Sequence, residues 1–185
     1  MLRVLGQNIP AGLPMQTGVL QADMTAFHLA SNFGLILLPC NTFSMLSVSQ
    51  RLSTLARVRQ HLHPKGQFAA SVPNPVLLRR LPRRAEAEVE QSFPHPIDGE
   101  PVQVSSAWER TSREFKLTWI YDHLLPDGRV ERFTAQAHHT LAGVATYEEE
   151  LSQAGLELVN RWGDFDGSPY EVGSPNYIFI ARKRR

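Results

Sequence analysis

The chain has 185 residues, 42% apolar and 20% charged, a balance that suits one globular domain, with or without an insertion, and excludes a disordered chain. Its 19 basic and 18 acidic side chains create no overall field to draw nucleic acid or an anionic membrane. One cysteine, Cys40, excludes an internal disulfide and suits a reducing cytoplasm. No apolar run reaches the ~20 residues that span a bilayer, and MLRVLGQNIPAG lacks the apolar core and cleavage site of a secretory signal.

In chain order, Leu2, Val4, Leu5 and Ile9 share one face of a short helix that PAGLP stops. MQTGVLQADM reads as a strand ending near Asp23. FGLILLPC reads as a second strand, apolar at nearly every position, as expected of a central parallel strand covered on both faces. VSQRLSTLARVRQHLHPKG predicts an amphipathic helix with Leu52, Leu55, Val58 and Leu62 on one stripe and Pro64 and Gly66 at its end. QFAASVPNP follows as a strand stopped by two prolines. Strand, strand, helix and strand describe an α/β sheet with crossover connections, whose ligands sit beyond the carboxyl ends of the strands. The basic run RRLPRR is followed at once by AEAEVEQ and reads as a solvated surface.

From about Val102 to Leu141 the pattern changes to alternating β-rich runs, and Pro126 to Gly128 make a hairpin turn between two of them. TYEEELSQAG returns to helix, with Thr146 and Glu149 spaced as a capping box and Gly155 as its stop. LELVNRWGDF and NYIFIARK are the last strands, with GDFDGSPY a turn between them. The expected organisation is an α/β domain over 1–95 and 142–185, interrupted by an antiparallel subdomain over 96–141.

The order ADM, FGLILLPCNTF, LARVRQHLHPKGQFAASVPNP, YEEELSQAGL and SPNYIFIARK resembles the class I S-adenosylmethionine-dependent methyltransferases, in the small-molecule branch with an antiparallel insertion after the fifth strand. The resemblance implies a Rossmann-like sheet, S-adenosylmethionine as cofactor and a small-molecule methyl acceptor. It implies that Asp23 and Met24 bind the adenine, a carboxylate accepting from the exocyclic amine while a thioether packs on the ring. It implies further that Pro39, Cys40 and Asn41 lie beside the cofactor and Phe43 beside the acceptor, with Asn74 in the neighbouring wall. Tyr121 and His139 in the insertion complete the expected acceptor side. The chain departs from the family pattern at its start. It lacks the glycine-rich turn after a first strand and the acid after a second. Met1 aligns inside the helix after the second strand, so the expected fold is N-terminally incomplete by roughly 50 to 60 residues, about two βα units. Three arrangements fit that departure: a start displaced from the true one, a partner that covers the open edge, or a degenerate relative without catalysis.

Methyl transfer from a sulfonium needs alignment more than acid–base chemistry, so no catalytic residue is assigned. Of His138 and His139, adjacent on a strand, at most one can face a pocket. The seven histidines show no HxxxH spacing and there is no CxxC, so no metal site is expected. Trp108, Phe115, Trp119 and Tyr121 read as the core of the inserted sheet, a pocket lining or a dimer face. The rival to the methyltransferase reading is a non-catalytic, dimeric binding protein that pairs through the sheet edge or the insertion.

Overall fold

The computed structural model describes residues 18–184. Among these residues eight strands form two four-stranded sheets. The first has the order β1 (Phe33–Leu38), β2 (Leu62–Pro73), β8 (Asn176–Lys183), β7 (Leu156–Trp162), and the second runs β3 (Arg84–Pro94), β4 (Pro101–Arg110), β5 (Glu114–Leu124), β6 (Val130–Thr140). Helices α1 (Thr42–Met45) and α2 (Val48–His61) connect β1 to β2, α3 (Pro75–Arg80) follows β2, and α4 (Val144–Gln153) leads into β7. Among the described residues only β1 and β2 pair in parallel; β8 runs antiparallel to both β2 and β7. The insertion is an antiparallel meander, and it takes in β3 from Arg84 and so begins before the expected boundary at 96.

Alternation in β2 sends Phe68, Ala70 and Val72 to one face, where they meet Leu55 and Val58 of α2, Leu151 of α4 and Tyr177 and Phe179 of β8. Each such side chain contributes about 1.5–3 kcal/mol by leaving water. Ser47 caps α2 in a reciprocal box with Gln50. The buried stripe of α2 includes the charged Arg51. The helix stops at His61 and passes directly into β2, so Pro64 and Gly66 are strand residues. Gly66 is needed for a different reason: a Cβ there would stand 2.7 Å from the Phe33 carbonyl oxygen. The helix α4 starts at Val144, ahead of the Thr146–Glu149 box expected to cap it, and it ends as expected at Gly155, which has φ +72°.

Two strand expectations need correction. Residues 18–23 form no strand, because no neighbour pairs with them among the described residues; the helix expected over Leu2–Ile9 lies outside those residues. FGLILL is a strand but stands at an edge of the sheet, with Leu35 and Leu37 56% and 60% exposed. Among the described residues no helix is long and apolar enough to cross a membrane.

Candidate functional site

The carboxyl ends of the parallel pair β1 and β2 carry Pro39–Asn41 and Asn74, the position where ligands bind in open α/β sheets. After β1 the backbone turns through two successive left-handed residues, Cys40 at φ 60° and Asn41 at φ 57°. Non-glycine residues in that region cost about 1–3 kcal/mol each and persist only where surroundings hold them. Here the Thr42 hydroxyl donates to the Pro39 carbonyl at 2.9 Å, and the Ser44 amide and hydroxyl both donate to the Asn41 carbonyl, at 3.2 and 2.8 Å.

Those bonds determine the state of His139. Ser44 spends its one proton on Asn41, so its Oγ accepts from His139 Nδ1 at 2.9 Å. His139 therefore carries its proton on Nδ1, and Nε2 keeps a lone pair with no protein partner among the described residues. Burial, reinforced by the neighbouring His138, pushes the imidazole below its ordinary pKa and keeps it neutral. His138 faces solvent, as two adjacent strand residues must divide between faces. The next residue tightens the same turn: Thr140 Oγ1 donates to the Ser44 carbonyl at 2.9 Å and accepts from Arg51 Nη1 at 3.0 Å. Arg51 also donates to the Leu46 carbonyl at 2.7 Å and grips Glu150 of α4 with two bonds of 2.7 Å. The Phe43 and Tyr147 rings flank its guanidinium at 5.9 and 5.2 Å. A buried polar network thus holds the end of β1 against the inner end of the inserted sheet.

The residues expected in the site divide into two groups. Pro39, Cys40, Asn41 and His139 are tied to this one turn, and the buried Oδ1 of Asn41 has no hydrogen-bond partner among the described residues. Asp23 is exposed, and its carboxyl is held below the usual range by the Thr25 amide and hydroxyl, both at 2.8 Å. Met24 beside it is half-buried, and no hydrogen bond or ion pair joins Asp23 to Asn41 among the described residues. Phe43 is fully enclosed in the core, 5.6 Å from both Tyr147 and Phe179, and does not line a site. Asn74 is consumed structurally: its Oδ1 caps α3 through the Val76 amide, and its Nδ2 donates to the carbonyls of Val172 and Ser174. Tyr121 shares a sheet face with His139, yet it lies six residues along β5 from Phe115, the partner of His139, which is about 20 Å at strand spacing. Ser44, Thr140, Arg51 and Glu150 escaped sequence reasoning. Only Arg51 left a trace there, being spaced i, i+4, i+7 with Leu55 and Val58.

No family model and no curated protein sequence matches the chain. Solved structures do, and they identify the fold as that of the class I S-adenosylmethionine-dependent methyltransferases. A methyltransferase of Clostridium acetobutylicum ATCC 824 superposes at a TM-score of 0.76 with 12% identity, over 99% of this chain and 69% of its own. The sugar N-methyltransferase KedS8 of Streptoalloteichus sp ATCC 53650 gives 0.74 with 19% identity, over 100% and 67%. CalS10, an amino pentose methyltransferase of Micromonospora echinaspora solved with S-adenosylmethionine bound, gives 0.63 with 18% identity, over 86% and 62%. The chain thus spans about two thirds of the length of each.

Proposed function

We propose that this chain belongs to an S-adenosylmethionine-dependent methyltransferase acting on a small-molecule acceptor, with an amino sugar as the leading acceptor class. The observation that carries this reading is the Asn41–Ser44–His139 relay at the carboxyl end of β1, where a neutral imidazole keeps an unpaired nitrogen. The side chains present suit the cofactor. Asp23 is an acceptor for an adenine amine, Met24 offers a thioether to its ring, and Pro39, Cys40 and Asn41 border the cofactor. When bound, the cofactor supplies a methyl group on a sulfonium. His139 then serves the acceptor: its Nε2 receives the proton that the acceptor nitrogen loses on methylation, and the Ser44 bond holds the ring in that tautomer. The structural neighbours KedS8 and CalS10, acting on a sugar and an amino pentose, support the acceptor class.

Thermal denaturation with S-adenosylmethionine and S-adenosylhomocysteine tests the reading. Ligand at ~100 times Kd adds about 2.7 kcal/mol, or roughly 5–11 °C for a chain of this size, and Asp23→Ala reduces the shift. With an amino-sugar acceptor, His139→Ala retains the homocysteine shift and loses product one methyl group heavier by mass spectrometry. Absence of a shift with both ligands at millimolar concentration overturns the assignment.

A further inference from the structure

A second polar cluster lies at the outer end of the inserted sheet, remote from the turn after β1. Six residues, His95 to Glu100, join β3 to β4. The His95 amide donates to the Glu100 carbonyl at 2.8 Å, and the Gly99 amide to the His95 carbonyl at 2.9 Å. Gly99 sits at φ +79°, which its missing Cβ allows. The Glu100 amide donates to Asp98 Oδ1 at 3.1 Å and so aims that carboxylate back at His95 Nδ1, 2.9 Å away. From β5, whose register sets His123 opposite Val102, the His123 Nε2 reaches within 3.3 Å of both Asp98 oxygens. The two imidazoles stack at 4.2 Å.

The geometry points to a binding site for one divalent transition-metal ion, zinc by ligand type, held by His95 Nδ1, His123 Nε2 and the Asp98 carboxylate. These three donors lie within 4.8 Å of one another. Around tetrahedral zinc, with bonds of about 2.0–2.2 Å, neighbouring donors stand about 3.3–3.5 Å apart. The Asp98 carboxylate already stands near that spacing from the two rings, at 2.9 and 3.3 Å, and all three donors, within 4.8 Å of one another, would close on an ion by side-chain rotation. Two further features fit a metal. Behind His123, Glu131 Oε2 stands 4.0 Å from the other ring nitrogen, Nδ1, beyond hydrogen-bond distance but placed so that a small side-chain rotation would bring it onto that nitrogen, as carboxylates stand behind metal-bound imidazoles. Among the described residues, Asp98 has only these two imidazoles as ionic partners, while nearby Arg132 is held by Asp122 at 2.6 and 2.7 Å.

Binding is a plain exchange. The ring protons that face Asp98 leave or move to the opposite nitrogens, for His123 the one facing Glu131, and the freed lone pairs take the ion. The two imidazoles line, with Phe93, Tyr121 and Phe133, a cavity of about 410 Å³ that has room for water or a small donor ligand as a fourth ligand. His123 lies eight residues along β5 from the partner of His139, about 27 Å, so this site is separate from the proposed methyl-transfer turn.

The test titrates Zn²⁺ into chelator-treated full chain by calorimetry. One ion per chain is expected, with affinity at least tenfold weaker in Asp98→Asn and in His123→Ala and unchanged in His63→Ala. A second readout needs no variant: Zn²⁺ should shift the ring resonances of His95 and His123 and leave those of His28 and His63 in place. Co²⁺ should give the visible absorption of a four-coordinate site. Absence of stoichiometric binding, equal affinity in Asp98→Asn, or unmoved His95 and His123 resonances reduces the cluster to hydrogen-bonded side chains and overturns the proposal.

Discussion

Glu150→Gln tests the network behind the site most directly. The Glu150 carboxylate takes two 2.7 Å bonds from Arg51, with the two side chains 5% and 1% exposed. Glutamine keeps the shape but sets an amide NH₂ against a guanidinium N–H and leaves a buried cation without its counter-charge. Breaking such a pair costs about 3–5 kcal/mol, several times an exposed pair's value. At roughly 2–4 °C per kcal/mol, the melting temperature should fall by roughly 6–20 °C, and urea unfolding gives the same loss independently. The double variant Arg51→Met/Glu150→Leu removes both charges and should recover about half the loss. Full recovery is not expected, since Arg51 also serves the Leu46 carbonyl and the Thr140 hydroxyl, and stranded partners cost about 1–3 kcal/mol each. A loss under about 1 kcal/mol for Glu150→Gln, or single effects that simply add in the double variant, would refute the account of a coupled buried pair.

The depressed pKa of His139 has a definite sign. As pH falls through the ordinary value of 6.5, the unfolded chain takes up the proton first, so the stability that His139 contributes above that pH declines until the folded pKa is reached. Wild type should therefore lose more stability than His139→Gln between about pH 7.5 and about pH 5.5, by urea unfolding, and equal losses would remove the effect. Gly66→Ala would place its Cβ 2.7 and 3.1 Å from the carbonyl oxygens of Phe33 and Gly34, where backbone yields little. The expected cost is about 1–3 kcal/mol, with faster amide exchange in β1; wild-type exchange there would show that the strands part freely. Gly128→Ala meets open space and strains only φ +82°, at about 1–2 kcal/mol, and exchange in β1 should not change.

What was legible in the sequence was local, and what was missed depended on partners far along the chain. The Leu55–Val58–Leu62 stripe, the hairpin at Gly128 and the stop at Gly155 follow from helical period and left-handed turns, which a few neighbouring residues determine. FGLILL misled because an apolar run reports a capacity for burial, whereas burial itself requires flanking strands. The same cause left residues 18–23 without a ladder. In the site, PCNTF stood out because an apolar strand ending in polar residues is a local pattern, while its place beside a cofactor was implied by the family resemblance. Whether Phe43 faced a pocket or the core was settled by Tyr147 and Phe179, more than 100 residues away. Asn74 could have been read correctly, since asparagine directly before a proline that opens a helix is a capping signal. His95, Asp98 and His123 could not, because their meeting depends on the register that sets Val102 opposite His123. Arg51 lies between these cases. A charge on an apolar helical stripe implies a buried partner of opposite sign, but its position does not say which of the later acids answers it. Glu150 does so because α4 crosses α2 beside the end of β6, and that crossing brings the inserted sheet, and His139 with it, to the end of β1.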